Sequence, residues 1–531
     1  MPATLFAVLL GGVAFILYRI RQIGRRPPGF PPGPPTLPLI GNLHQMPSKQ
    51  AHLQFQKWAE EYGPMYSLIL GTKVMIVLSQ DTVVKDLLDK RSNIYSSRPE
   101  LYLGTLLSEG NRMVLMEYGD KWRMIRKTIH NMLNINASKS YVPYQDLENK
   151  QLLCELIDAP DRFIDHIRRY SNSLTTQILF GHRTISIDDP RFIQLFEGFH
   201  KFTQIVGSGS SALLDLYPIL RKLPDFMLSM RRYAKELGQR EKELYVSHWL
   251  EAKNGIKSGI TVPCVCRDIV KAQEIEGFSD ELAGYISGSL LEAGSDTTSS
   301  TLIGFVQAMI IFPDVQKKAR EEIDRVCGDR LPTMDDEPQM QYIRGCIKET
   351  LRWMPTTPLG MVHAVIRDDE YMGYKIPKGA RVMYNVWGIH MDPKRHPEPR
   401  VFDPTRYADD YQTALESASN ADVSKRDHFS FGVGRRICQG MHISERSLFL
   451  GISRLIWGFE FEKARDAQGN EIIPDADQLT EGLVAMPQPF PAKITPRSEK
   501  HVRIMRGEWD KCQSMLDKEK QWKEAPLSMR S

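Results

Sequence analysis

The chain is poor in the features that would make its function a matter of simple motif reading. Its cysteines are seven, an odd number, scattered at positions 154, 264, 266, 327, 346, 438 and 512. That spacing excludes a disulfide scaffold and suits a reducing compartment. Cys264 and Cys266 lie close together, but no second pair or nearby His completes a zinc site, so they read as surface or core thiols. There is no glycine-rich dinucleotide or phosphate fingerprint, hence no built-in flavin or nicotinamide module. A net charge of +4 on 531 residues is too small to argue for nucleic acid. No internal repeat and no dividing linker appear. What remains is ordinary globular composition, 42% hydrophobic and 25% charged.

Long hydrophobic runs are nearly absent too, with one exception at the start. Ala3 to Tyr18 is apolar and is followed by Arg19, Arg21, Arg25 and Arg26. A cleavable signal carries its positive residues before the apolar run, whereas here they follow it. The expectation is an uncleaved anchor over residues 1–26, with the arginines cytosolic. The stretch Pro27–Pro35 is stiff and extended and cannot continue a helix, so it reads as a hinge. The body is expected over 36–497. The polar, charged tail of 498–531 reads as frayed helix or disordered extension.

Within the body, helical patterns dominate, with strand-like runs at Met65–Leu70 and Val74–Leu78. This predicts a mainly α fold with small β-sheets in a single catalytic domain. Asn254 to Pro263 reads as a loop or short turn. The longest pattern runs from Ser279, a capping residue, to Phe312, before Pro313. At its middle, Ala293-Gly294-Ser295-Asp296-Thr297-Thr298 is poor in helix propensity, and a local distortion that opens a ligand groove is expected there.

The most informative segment is Phe431-Gly432-Val433-Gly434-Arg435-Arg436-Ile437-Cys438-Gln439-Gly440. Cys438 precedes a helix, whose free N–H groups and positive dipole end favour an ionised sulfur. The glycines let the backbone turn and approach a flat macrocycle, and Arg436 can reach a carboxylate at its edge. The loop resembles the haem-binding signature of the cytochrome P450 family, Phe-x-x-Gly-x-Arg-x-Cys-x-Gly, at every fixed position. In that family the residue at Cys438 is the axial ligand, and thiolate donation favours O–O cleavage.

The resemblance extends from about Pro27 to Pro496. Ala293, Gly294, Asp296 and Thr297 match the family's Ala/Gly-Gly-x-Asp/Glu-Thr, which implies that Asp296 and Thr297 are catalytic and relay protons. Glu349 and Arg352 with Arg406 match its structural triad. Trp122 and Arg126 match Trp-x-x-x-Arg, which with His363, Arg436 and, more weakly, Arg98 implies contact with haem propionates. Pocket-lining positions are expected at Ser289–Ala293, Thr356–Met361 and Glu481–Met486. The resemblance implies haem b as cofactor and metal ligation by Cys438. It also implies an NADPH-dependent flavoprotein reductase as partner, a lipophilic small-molecule substrate, and the cytosolic face of the endoplasmic reticulum membrane. The segments around His363 and Cys438 look like the fungal branch, which points to secondary metabolites. Phenol coupling, isomerisation or dehydration, and non-catalytic haem or lipid binding at a membrane, remain open alternatives.

Overall fold

The computed structural model of the chain describes residues 2–259 and 262–526, apart from the side chains of residues 2–4, 7, 13, 16 and 17. In chain order, the helices that place the site are α1 Pro2–Gln22, α2 Asp120–Leu133, α3 Val142–Asp158, α4 Phe163–Phe180 and α5 Pro190–Gly207. They continue with α6 Ser229–Lys257, α7 Asp280–Ile311, α8 Gln341–Trp353, α9 Met441–Gly458 and α10 Glu499–Gln513. The strands are β1 Met65–Leu70, β2 Lys73–Leu78, β3 His363–Ala364, β4 Asp369–Tyr371, β5 Tyr374–Ile376, β6 Arg381–Tyr384, β7 Phe459–Arg465, β8 Glu471–Ile472 and β9 Ala492–Pro496.

The helix α7 is the axis of the fold. The Ser279 hydroxyl caps its first turn by accepting from the Leu282 N–H at 3.1 Å, and Pro313, which has no N–H to give, opens the next helix. Its 32 residues span about 48 Å at 1.5 Å per residue. From Thr298 to Ile310 every residue is buried, and the polar Ser299 and Thr301 return their hydroxyls to carbonyls of the helix itself. Leu302, Ile303, Phe305 and Met309 share one core with Leu351 of α8 and with Leu448, Ile452 and Leu455 of α9. The opposite end, through Tyr285, Ile286 and Leu291, shares another with α2, α4 and α6.

The main sheet has the order β1-β2-β6-β3. All six residues of β1 are buried, which explains why its apolar run does not alternate. Gly71 turns the chain into β2 at φ +57°, and a Cβ there would lie 2.5 Å from the Tyr217 hydroxyl. The parallel pairing of β2 with β6, Ile76 opposite Val382, joins the two halves of the chain. Beside β6, the short β3 sets His363 opposite Val382.

Several sequence expectations are corrected. Among the described residues, no single helix is long and apolar enough to cross a membrane, so the spanning anchor expected in residues 1–26 is not established. Sixteen apolar residues reach about 24 Å, short of a hydrocarbon core of about 30 Å, and part of the run lies outside the described side chains. The proline-rich stretch is also more than a spacer. Arg26 donates to the Gly33 and Pro34 carbonyls and to Ser67, and the Ser67 hydroxyl donates to the Pro31 carbonyl at 2.6 Å, which pins the stretch to β1. The loop expected from Asn254 is helical as far as Lys257, while residues 260 and 261 lie outside the described residues.

The tail differs most. Rather than fraying, it forms α10, and Met505, Cys512, Leu516 and Trp522 are all buried. Met505, Trp509, Cys512 and Leu516 recur at helical spacing, so one face of a charged segment is apolar. The Trp522 indole lies 5.7 Å from the Tyr144 ring and donates to Gln177 Oε1 at 2.7 Å. Arg183 holds the same segment by donating to the Lys520 carbonyl at 2.8 Å. Trp522→Ala is therefore expected to cost about 3–5 kcal/mol and to lower the urea midpoint of the holoenzyme, with Trp522→Phe intermediate. Midpoints equal to wild type would show that the tail carries no part of the core.

Candidate functional site

The loop that holds Cys438 is shaped by two constraints. Gly434 has φ +57° and a Cβ on it would lie 2.1 Å from the Leu88 carbonyl oxygen, so only glycine fits. The Cys438 N–H donates to the Phe431 carbonyl at 2.8 Å, closing the loop on itself. Immediately after it, α9 begins at Met441. The N–H groups of Gly440 and Met441 aim at the sulfur, as the helix-start reading requires. Burial nevertheless dominates and pushes the thiol up, against those two N–H groups and the Arg126 charge. The helix start thus favours the ionised sulfur as expected, but burial outweighs it. Protein surrounds Cys438 on all sides, yet its side chain keeps accessible surface. It opens on internal space.

Around that space stand three arginines without acids. Arg436 lies 4.1 Å from the Trp122 ring centroid and donates to the Ser96 and Met116 carbonyls, both at 2.8 Å. Arg126, one turn after Trp122 on α2, donates to the Ile437 carbonyl. Arg98 donates to the carbonyls of Val114, Met361 and Val362. Burial lowers Arg98 and Arg126 to about 10 each, and burial together with the charges of Arg98 and Arg126 brings Arg436 down to about 8. Among the described residues none of the three has a carboxylate within ion-pair distance. The Trp122 indole N–H is buried with no protein partner.

His363 is buried and its Nδ1 lies 2.7 Å from the Tyr95 carbonyl, so Nδ1 carries the proton. Burial and the charges of Arg98 and Arg436 hold the ring well below its ordinary range. A desolvated cation cluster, an indole donor without a partner among the described residues and a thiol facing internal space suit an anionic group that carries a metal. The residues present fit haem.

The second wall is α7. Ala293 is exposed in mid-helix, and Ser289, Leu290, Gly294, Asp296 and Thr297 are partly exposed, whereas the helix beyond them is buried. At 100° per residue these positions share one face, so α7 also borders internal space. Thr297 Oγ donates to the Ala293 carbonyl at 2.7 Å. The Asp296 carboxyl is pushed up to about 6 by burial, with Arg168 opposing and Glu292 assisting. The expected distortion is not found, since α7 runs unbroken. Gly294 serves close packing instead: a Cβ would lie 2.6 Å from Thr175 Oγ1 on α4, and Ser171 donates to the Gly294 carbonyl at 2.8 Å. Two of the expected pocket segments meet, because Ala485 N–H donates to the Thr356 carbonyl at 2.8 Å.

The scaffold under the loop starts at α8. Glu349 and Arg352 have no exposed surface and pair through two bonds of 2.6 and 2.7 Å. Arg406 and the Asp403 N–H add bonds of 3.3 and 2.9 Å to Glu349 Oε1. Sequence reasoning missed the next link. Arg352 donates to the His390 carbonyl at 3.0 Å, His390 Nδ1 donates to the Arg352 carbonyl at 2.9 Å, and His390 Nε2 accepts the Phe429 N–H at 2.8 Å. The cysteine loop is therefore tied to the end of α8 through this imidazole and through the Ser430 hydroxyl, which donates to the Leu351 carbonyl at 2.6 Å.

Comparison with known proteins agrees with this geometry. The family profile described as Cytochrome P450 matches residues 31–494. The chain belongs to the cytochrome P450 family. It is 55% identical to the cytochrome P450 monooxygenase virE of Hypocrea virens, over 100% of this chain and 97% of that one. It is 51% identical to fogE of Aspergillus ruber, over 98% and 97%. A zebrafish cytochrome P450 solved with abiraterone shares the fold, with a TM-score of 0.66 at 23% identity, over 84% of this chain and 100% of that chain. The chain is thus a P450 monooxygenase, and haem b is its cofactor.

In this P450, His390 had no signal in a lone sequence, because nothing in Gly388-Ile389-His390-Met391 marks it. His390→Leu would bury the Phe429 N–H and the Arg352 carbonyl without partners, at about 1–3 kcal/mol each. Haem transfer from this variant to a haem acceptor protein should be several-fold faster than from wild type. Equal rates would remove the link between the imidazole and the loop.

Proposed function

We propose that this monooxygenase oxidises a lipophilic small molecule of fungal secondary metabolism, drawing electrons from an NADPH-dependent flavoprotein reductase. The observation that carries the reading is the thiol of Cys438 facing internal space beside three buried guanidiniums that lack acids. Cys438 would ligate the iron, and Trp122, Arg126, His363 and Arg436 would hold the propionates, with Arg98 beside them. When bound, haem supplies the redox centre at which molecular oxygen is split and one atom is passed to a carbon of the substrate.

The chain's own residues do the rest. The thiol of Cys438 gives up its proton, and the Gly440 and Met441 N–H groups with Arg126 stabilise the resulting anion. His363, its Nδ1 proton committed to the Tyr95 carbonyl, presents Nε2 as an acceptor. It pairs with a carboxylate only by taking a second proton, which a nearby anion favours. Asp296, with its carboxyl near 6, both holds and releases a proton around neutral pH. The Thr297 hydroxyl, back-bonded to Ala293, keeps its lone pairs directed away from the helix and passes protons on from Asp296. Apolar side chains at Leu359, Met361, Ala485 and Met486 keep bulk water from the substrate. Retention of both Asp296 and Thr297 favours oxygen chemistry over isomerisation or dehydration.

Membrane attachment at the endoplasmic reticulum, with the body cytosolic, is part of the same proposal. In α1 Leu5, Phe6, Val8, Leu9, Leu10 and Phe15 are exposed, and Arg19 and Arg21 close the helix. Leu37, Leu39, Ile219, Phe226 and Met227 are further exposed apolar side chains on the body, and the Tyr217 hydroxyl brings the first two near Ile219 by donating to the Leu39 carbonyl at 2.8 Å. Such surfaces dock at a lipid interface.

Cys438→Ala should abolish the thiolate-specific absorption of the reduced carbon monoxide complex; an unchanged band would place another residue at the metal. Thr297→Ala should keep haem but divert consumed oxygen to hydrogen peroxide by several-fold, and tight coupling would remove its assigned role. Deleting residues 1–24, which spares Arg26, should weaken but not abolish flotation with liposomes, and flotation unchanged from the full chain would exclude α1 as an anchor.

A further inference from the structure

Away from the cysteine loop, a second ionic cluster ties four parts of the chain together. Arg112 is buried, with its Nη1 donating to Glu292 Oε2 of α7 and its Nη2 to Glu241 Oε2 of α6, each at 2.5 Å. Its guanidinium lies 3.8 Å from the ring centroid of Phe202 on α5. The Tyr245 hydroxyl donates to the other Glu292 oxygen. One cation between two carboxylates leaves a negative charge over, and in buried surroundings a bound proton neutralises it.

The cluster is not sealed. Glu241 and Tyr245 line a cavity of about 340 Å3 between α5 and α6, walled by Leu195, Leu237 and Leu244, with Glu197, Lys201 and Arg240 also around it. Among the described residues, three polar atoms at the cluster have no partner: Glu241 Oε1, Arg112 Nε and the Tyr285 hydroxyl. Buried polar atoms of this kind are met by water. Inward, Glu292 stands one turn before Asp296 on α7, where side chains four apart are neighbours. Ser289, whose hydroxyl is also buried and unpartnered, lies near the same face.

We propose that this cavity is a proton inlet, and that Glu241, Arg112 and Glu292 form a positioning relay that recharges Asp296. The inference rests on the reading of Asp296 as the proton-giving acid of α7. Each proton that Asp296 gives up is replaced from Glu292, then from Glu241, then from water in the cavity, and no electron moves. Arg112 stays a cation throughout, because its two carboxylates and Tyr245 hold its proton affinity well above the usual range despite burial. Protons therefore pass through water at the unpartnered atoms and not through the guanidinium. Burial pushes the Glu241 carboxyl up to about 8, with Arg112 opposing and Glu292 assisting. The inlet is charged below that pH and empties above it.

Two measurements on the full-length holoenzyme test the relay. Infrared difference titration should show a protonated carboxyl that ionises near pH 8 and vanishes in Glu241→Gln; a wild-type protein without that band overturns the proposal. With reductase, NADPH and oxygen alone, the peroxide fraction should rise severalfold in wild type as pH passes 8. In Glu241→Gln it should already be at least twofold higher at pH 7 and flat with pH. Should Glu241→Gln fail to hold haem, Glu292→Gln gives the same comparison. Asp296→Asn separates the two readings: if it raises peroxide and the Glu241 variant behaves as wild type, the inlet is wrong and the role of Asp296 stands. If Asp296→Asn also matches wild type, the acid's role fails and the inlet with it.

Discussion

The interaction on which the site depends is a repulsion. Arg98, Arg126 and Arg436 are held together in a desolvated region with backbone carbonyls as their hydrogen-bond acceptors, and the charges of Arg98 and Arg126 add to burial in lowering Arg436's hold on a proton. Isolated buried charges of this kind cost several kcal/mol apiece. On the proposed reading, a dianion that enters among them would replace the repulsion at Arg436 with attraction. The same logic applies to Cys438. Burial pushes its thiol up, and on the proposed reading a metal would supply the charge that makes it a ligand.

Such a site must be held open by something that does not depend on the cofactor. That support is the buried Glu349–Arg352 pair and the His390 imidazole between it and Phe429. On the other wall, α7 is fixed by its contact with α4 at Gly294 and by the all-round burial of its second half. The tail reinforces α4 from behind. Gln177, which accepts the Trp522 indole N–H, also donates to Glu148, a buried carboxylate bonded to Arg169 and Arg183.

Much of this was legible in the sequence because the chemistry needs particular residues at fixed offsets. Cys438 stands just before α9 as the sequence implied, and Glu349, Arg352 and Arg406, which the family resemblance joined, are bonded to one another. Strands β1 and β2 were readable from runs of apolar residues, and α7 from its cap and its following proline. What escaped were partners distant in sequence. Arg112 meets residues 129 and 180 positions away, and His390 links segments that no local pattern connects. The tail was misjudged because its many charges masked an apolar stripe. The glycine in α7 was misread because a close approach by Thr175 leaves no mark on α7's own sequence.

The pairing of β2 with β6 carries a consequence for how the molecule is made. Ile76 must find Val382, so the central sheet cannot close until most of the polypeptide has left the ribosome. Long-range parallel pairing of this kind is slow, and until it forms, the six buried residues of β1 and the face of β2 wait unsheltered. Closure of the central sheet is thus gated by chain length, and until then the nascent N-terminal half presents its apolar strands to other chains.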